Sequence, residues 1–264
     1  MSVARLGGIV LSGPQPPRRA IDSLPYLACS RHVRLGDGEL DALATRLGAI
    51  PLTRRPLPAG RIGLVLTTRG PVLHAPGCAP LAWHPGLTAS RLVAPMEDTL
   101  VRALDVQPGQ SVVDATLGLG HDALVLRAAG AVVLGLEANP LLAYLTELGH
   151  ASHAVGLPLT VWASDFRDVL AALEPTSVDH VFFDPLFDAP GTHGLDAHPV
   201  WDAVRRLGRP GRLTPDDVAT ARRVARHRVV LKLGPGESPP GAPGFVLVVG
   251  RRRRFAVWGA AETP

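Results

Sequence analysis

Four carboxylates close apolar, strand-like runs in the second half of this 264-residue chain: Asp114, Glu137, Asp165 and Asp184. In an open α/β sheet, ligands collect beyond the carboxyl ends of parallel strands, so acids at such ends would face one cleft. The first acid opens Asp114-Ala115-Thr116-Leu117-Gly118-Leu119-Gly120, a glycine turn leading into a helix. Gly118 and Gly120 would let the backbone approach a ligand closely, and the acid can accept from a cationic amine.

Two cofactors fit these residues. S-adenosylmethionine (SAM) would present its ammonium to Asp114, its ribose hydroxyls to Glu137 and its adenine amino group to Asp165, with Ser164 alongside. NAD fits as well, because Gly118-Leu119-Gly120-His121-Asp122-Ala123 satisfies the dinucleotide fingerprint with alanine last, and Glu137 follows at ribose distance. A strand-to-helix turn with no ligand also produces so short a pattern. The other acids have plain structural readings too: Glu137 as a helix N-terminal acid ahead of Pro140, and Asp165 as the cap of a helix over 166–173.

The fourth strand end separates the cofactors. Asp184-Pro185-Leu186-Phe187 stands where methyltransferases that modify exocyclic amines carry Asp/Asn-Pro-Pro-Tyr/Phe, with Leu186 in place of the second proline. An amino group conjugated to a base is a poor nucleophile. Hydrogen bonds from its protons to Asp184 and a nearby carbonyl favour a localised lone pair, while Phe187 stacks on the base and aligns it. Hydride transfer needs no such tetrapeptide. Asp184, Pro185 and Phe187 are therefore the candidate catalytic residues.

Other residue types carry less. His84, His121, His150, His153, His193 and His198 lack metal-ligand spacing, so no metal is expected. His193, Asp196 and His198 fall in a long loop after Phe187 that reads as a lid. Lys232 reads as a solvated strand terminus, and the 251–254 arginine run as a charged hairpin turn or a phosphate grip.

The elements that must position these residues alternate. From about Pro95 a helix over 96–104 is followed by strands over 111–114, 131–136, 159–163, 178–183 and 228–233, with helices between them. Such alternation predicts a doubly wound, mainly parallel sheet. Thr214-Pro215-Asp216-Asp217 is a helix start, with a cap, an N1 proline and acids at the positive dipole end. Residues 244–249 and 255–258 are too close for a crossover and predict an antiparallel hairpin at the sheet edge.

The first 94 residues read differently, as a small α+β module ahead of a catalytic domain over 95–264. Ile9-Val10-Leu11 reads as a buried strand, residues 14–35 as irregular, and 40–47 as a helix capped by Asp37 and stopped by Gly48. Two strands, over 62–67 and 71–74, flank Arg69-Gly70.

Composition narrows the setting. No uncharged apolar run approaches the roughly 18–20 residues of a membrane-spanning helix, and Cys29 and Cys78 are isolated, which predicts a soluble protein of the reducing cytoplasm. Of 27 basic residues, Lys232 is the only lysine, and the net charge is +4. An arginine-rich balance suits phosphate contacts, although the joint enrichment in arginine, alanine, glycine and proline also fits a GC-rich genome.

These residues resemble the bacterial small-subunit ribosomal RNA guanine-N2 methyltransferases and their uncharacterised relatives, over about 37–258. The likeness is carried by the 114–123 segment, Leu136-Glu137-Ala138-Asn139-Pro140, Phe183-Asp184-Pro185-Leu186-Phe187, Val229-Val230-Leu231-Lys232 and Arg254-Phe255-Ala256-Val257-Trp258. The resemblance implies a seven-stranded sheet with its last strand reversed, SAM as cofactor, and ribosomal RNA as acceptor. It also implies cofactor contacts from His121, Asp122, Glu137, Ala138, Ser164, Asp165 and Asp184. The ribosomal enzymes carry arginine and proline where this chain has His121 and Asp188, and Trp83-His84-Pro85-Gly86 is closer to the uncharacterised relatives. A methyltransferase acting on a protein or small molecule is the alternative, ahead of an NAD-dependent oxidoreductase.

Overall fold

A computed structural model describes residues 3–6, 9–12, 25–36, 38–53, 56–153, 156–185, 212–234, 236–241, 243–251 and 253–261. Phe187, His193, Asp196, His198 and the proposed cap Asp37 lie outside them.

Residues 111–259 build a seven-stranded sheet. Its strands are β8 (Ser111–Asp114), β9 (Val132–Glu137), β10 (Thr160–Ala163), β11 (Val178–Phe183), β12 (Ala225–Leu233), β13 (Phe245–Val249) and β14 (Arg254–Gly259), in the order β10-β9-β8-β11-β12-β14-β13. The first five in that order run parallel, and β14 is antiparallel to both of its neighbours, so the last strand is reversed. Strands β8 and β11 are buried at nearly every residue, as expected of parallel strands covered on both faces.

Helices α2 (Thr99–Leu104) and α3 (His121–Ala128) join an apolar cluster with Val112, Val133, Phe182, Val230 and Phe255. Helices α5 (Phe166–Ala172) and α6 (Pro215–Val224) pack with Val113, Leu134, Val181, Val229 and Trp258. The predicted helix start opens α6, and its cap is a capping box: Thr214 and Asp217 exchange bonds, while the forked Arg167 guanidinium ties Asp217 to α5 at 2.8 and 2.9 Å.

The N-terminal part forms a hairpin, β1 (Val3–Leu6) with β2 (Ile9–Ser12), and a five-stranded sheet. That sheet has the order β4-β3-β5-β6-β7, from β3 (Tyr26–Cys29), β4 (Ile50–Leu52), β5 (Gly63–Thr67), β6 (Gly70–His74) and β7 (Leu81–Ala82). Here two sequence expectations are corrected. Residues 26–29 are no irregular segment but a strand between β4 and β5, its Leu27 and Ala28 fully buried. The expected helix over 96–104 is broken: a 3-10 turn, Pro95–Glu97, precedes α2, because Asp98 is extended and caps it by accepting from Leu100 N–H. Helix α1 (Glu39–Leu47) closes this layer and ends at a left-handed Gly48.

One apolar cluster spans both parts of the chain. Leu27, Ala44, Leu64 and Leu73 pack with Leu119 and Leu124 of the α3 region and with Leu141, Leu142 and Leu145 of α4 (Pro140–Ser152).

Candidate active site

Strand β8 has β9 on one side and β11 on the other, and the connections leave it in opposite directions; this is the topological switch point. Parallel registers line up the carboxyl ends. Asp114 lies opposite Gly135 and Phe182, which places Glu137 and Asp184 two residues beyond it on the flanking strands. Ala163 pairs with Glu137, so Ser164 and Asp165 follow at the next end, and Leu231 pairs with Phe183, which sets Lys232 beside Asp184. Five adjacent strand ends thus present Asp165, Glu137, Asp114, Asp184 and Lys232 in a row.

The glycine turn is fastened on both sides. Gly118 and Gly120 have φ of +54° and +68°, left-handed values that favour glycine, and an added Cβ at Gly118 would meet open space. Leu117 N–H donates to Leu136 O, Thr146 Oγ1 donates to Gly118 O, and Glu137 accepts from Gly118 N–H at 3.0 Å. The other Glu137 oxygen accepts from Asn139 N–H at 2.8 Å. Burial outweighs these two bonds and pushes Glu137 up to about 7. Asp165 caps α5 through Arg167 N–H and adds a negative charge near Glu137.

On the other side of the turn, Asp114 is buried, and burial together with Asp122 and Asp184 raises its pKa well above the carboxylate range. Thr116 links it to the neighbouring strand: Thr116 N–H reaches Asp114 at 3.4 Å, and Asp184 N–H donates to Thr116 Oγ1 at 2.6 Å. Asp184 keeps part of its side chain open to solvent, at 29%, and Lys232 Nζ donates to it at 2.6 Å. Burial and the nearby Asp122 push its pKa up, against the pull of Lys232.

Lys232 is not the solvated terminus expected from sequence. Its ammonium bridges Asp184 and Asp122, at 2.6 and 3.2 Å, and the two carboxylates hold it protonated above the lysine range against the effect of burial. Asp122 in turn receives Arg91 at 2.5 Å, and Arg91 grips Asp98 with a forked pair at 2.7 and 3.0 Å. Burial opposes charge on Asp122, yet Lys232 and Arg91 hold its pKa far below the usual range. His121 is turned towards the segment before α2: its Nε2 donates to His84 O at 3.1 Å, and its ring centroid lies 5.8 Å from that of Trp83. Trp83 Nε1–H donates to Leu119 O inside the glycine turn.

Sequence reasoning assigned no role to Arg91, Thr116 or Trp83. The available signal for Lys232 was its uniqueness among the basic residues. Among the described residues, no group of three His, Cys, Asp or Glu is arranged to hold a metal ion, and no helix is long and apolar enough to cross a membrane.

Residues 89–258 match the family model described as a putative SAM-dependent methyltransferase. The chain belongs to the SAM-dependent methyltransferase family. This methyltransferase is 36% identical over 242 residues to ribosomal RNA small subunit methyltransferase J of Alkalilimnicola ehrlichii, covering 82% of this chain and 89% of that protein. It is 31% identical to the protein of the same name from Halorhodospira halophila, covering 82% and 88%. An uncharacterised protein of Bacillus subtilis, YpiP, is 32% identical over 57% of this chain and 62% of its own length. A solved SAM-dependent methyltransferase from Neisseria gonorrhoeae shares the fold, with a TM-score of 0.64 at 20% identity over 90% of this chain and 97% of that one. SAM is therefore the cofactor, and the NAD reading of the glycine turn falls away. The strand-end acids and the open space over Gly118 suit a cationic adenosyl ligand.

Proposed function

We propose that this methyltransferase modifies an exocyclic base amine, the guanine N2 amine, in RNA of the small ribosomal subunit. The observation that carries this is Asp184: it is part-exposed at the end of β11, fixed through its backbone by Thr116 and through its carboxylate by Lys232. The acceptor class is supported by the names of the two ribosomal RNA methyltransferases above and by the Asp184-Pro185-Leu186-Phe187 segment.

SAM supplies an electrophilic methyl group on its sulfonium. Asp114 would accept from its ammonium, Glu137 and Ala138 would meet the ribose, Ser164 and Asp165 the adenine, and Gly118 and Gly120 would give the backbone room; His121 and Asp122 border the same turn. The ionised Asp184 accepts a hydrogen bond from the target amine, which favours a localised lone pair, and it is placed to take the proton released when nitrogen gains the methyl group. Pro185 limits the backbone leaving the strand, and Phe187 stacks on the base.

The test is methyl transfer from labelled SAM to RNA of a strain lacking this protein, set against DNA, protein and small-molecule pools. Label should enter small-subunit ribosomal RNA as N2-methylguanosine. Asp184→Ala should lower kcat by roughly 10² to 10⁴. Transfer only to another pool defeats the acceptor reading, and unchanged RNA methylation by the variant defeats the mechanism.

A further inference from the structure

Lys232 stands apart in the composition. It is the only lysine among 27 basic residues, in a chain that uses arginine at every other basic position. Its place is set by register, since Leu231 pairs with Phe183 and the next residue on β12 therefore lies beside Asp184. The two cations differ in shape. A guanidinium is a planar five-donor fork on a longer stem, whereas an ammonium is a compact point charge whose three protons can turn between two acceptors. Here those acceptors are Asp184 at 2.6 Å and Asp122 at 3.2 Å. A longer, planar guanidinium does not reproduce this point contact with both carboxylates.

The ammonium is also anchored from behind. Asp122 is buried at the start of α3 and is fixed by Arg91, which is itself forked onto Asp98, and Asp98 has Arg253 at 3.7 Å. The charges alternate in sign from Arg253 through Asp98, Arg91, Asp122 and Lys232 to Asp184, so Asp122 is held between two cations and Lys232 between two carboxylates. Asp184 ends the series on the side of the glycine turn, part-exposed at 29%. A chain of this kind fixes its outer carboxylate much as a packed core fixes a side chain.

We propose that Lys232 is the positioning residue of the site: clamped by Asp122, its ammonium holds the Asp184 carboxylate charged and oriented towards the acceptor amine, a task that arginine does not perform. This rests on the reading of Asp184 as the group that faces the acceptor. Lys232 is not itself the proton acceptor, because the two carboxylates keep it protonated.

Two measurements test it. In the first, Lys232→Met and Lys232→Arg are compared with wild type for melting, SAM affinity and RNA methylation across the acid range. Lys232→Met should lower kcat by about 100-fold with KM for RNA little changed, and the acid limb of kcat/KM should move to higher pH. Lys232→Arg should not restore activity. A wild-type pH profile in the Met variant, or full activity in the Arg variant, overturns the proposal. The second needs neither an acceptor nor a folded Lys232 variant. Protein carrying isotope-labelled lysine gives one side-chain amine signal, whose titration should move to lower pH in Asp184→Asn, and an unmoved titration overturns the proposal. Failure of wild type to methylate RNA would defeat the acceptor reading instead, leaving the amine titration to decide the role of Lys232.

Discussion

Two carboxylates at the strand ends, Glu137 and Asp184, are both raised by burial, and both act in the ionised form. Burial outweighs the two backbone N–H donors to Glu137, so its pKa rises from the ordinary 4.5 to about 7. A carboxyl raised on folding stabilises the fold fully below its unfolded pKa, and that contribution is lost as pH rises towards about 7. Ribose hydroxyls donating to Glu137 would favour the ionised form and so release a proton on binding below neutrality. SAM affinity is therefore expected to be about tenfold weaker at pH 6 than at pH 8. Calorimetry in two buffers of different ionisation enthalpy would show the proton release, and an affinity flat across that interval would remove Glu137 from the ribose. Asp184 must likewise be ionised. Its raised pKa means that methyl transfer should fail on acidification before an ordinary carboxylate would protonate, with the acid limb of kcat/KM above the usual carboxylate range. An acid limb at ordinary carboxylate pH, measured with the natural RNA, would show that Asp184 is not the group being titrated.

At the scale of elements, the sheet positions the acids and the segment before α2 fastens the turn between them. Trp83 lies against α4 so closely that a Cβ on Gly149 would come within 2.2 Å of its ring. Gly149→Ala should force Trp83 off the helix and loosen its bond to Leu119 O, costing about 1–3 kcal/mol as overpacking. Chemical denaturation reads the loss, and a neutral result would mean that α4 shifts freely. The strand-end acids were legible in the sequence because parallel strands impose their own geometry: an apolar run that stops at an acid, repeated four times, can place those acids only along one edge. Lys232 and Arg91 were not legible. Each is placed by contacts across 110 and 31 positions of sequence to Asp122, which no local period encodes. Strand β3 was hidden for another reason: only four residues long, it is held by β4 and β5 rather than by alternation of its own. The tail hairpin was legible because its two runs are too close for any other connection.

At the scale of the whole molecule, the change of pattern near residue 95 raises the question of whether the two parts fold separately. The family match begins at residue 89, and the catalytic sheet is complete within 111–259. The packing argues for dependence. Leu119, Leu124, Leu141, Leu142 and Leu145, all on or beside the helices that carry the cofactor turn, are buried together with Leu27, Leu64, Leu73 and Trp83 of the N-terminal part. Removing that part would expose a contiguous apolar face, and such faces cause association in water. It would also take Arg91 from Asp122 and Asp98, and breaking a buried ion pair on one side costs roughly 3–5 kcal/mol, comparable to the lower end of a domain's total stability. A fragment starting at Pro95 is therefore expected to bind a hydrophobic dye, to lack a cooperative melt and to bind no SAM measurably. The comparison that isolates the charge is Arg91→Ala in the full chain, which keeps the apolar cover and should melt cooperatively at lower temperature. A fragment with the full chain's melting behaviour and SAM affinity would show that the catalytic half stands alone and that the N-terminal sheet serves some other purpose.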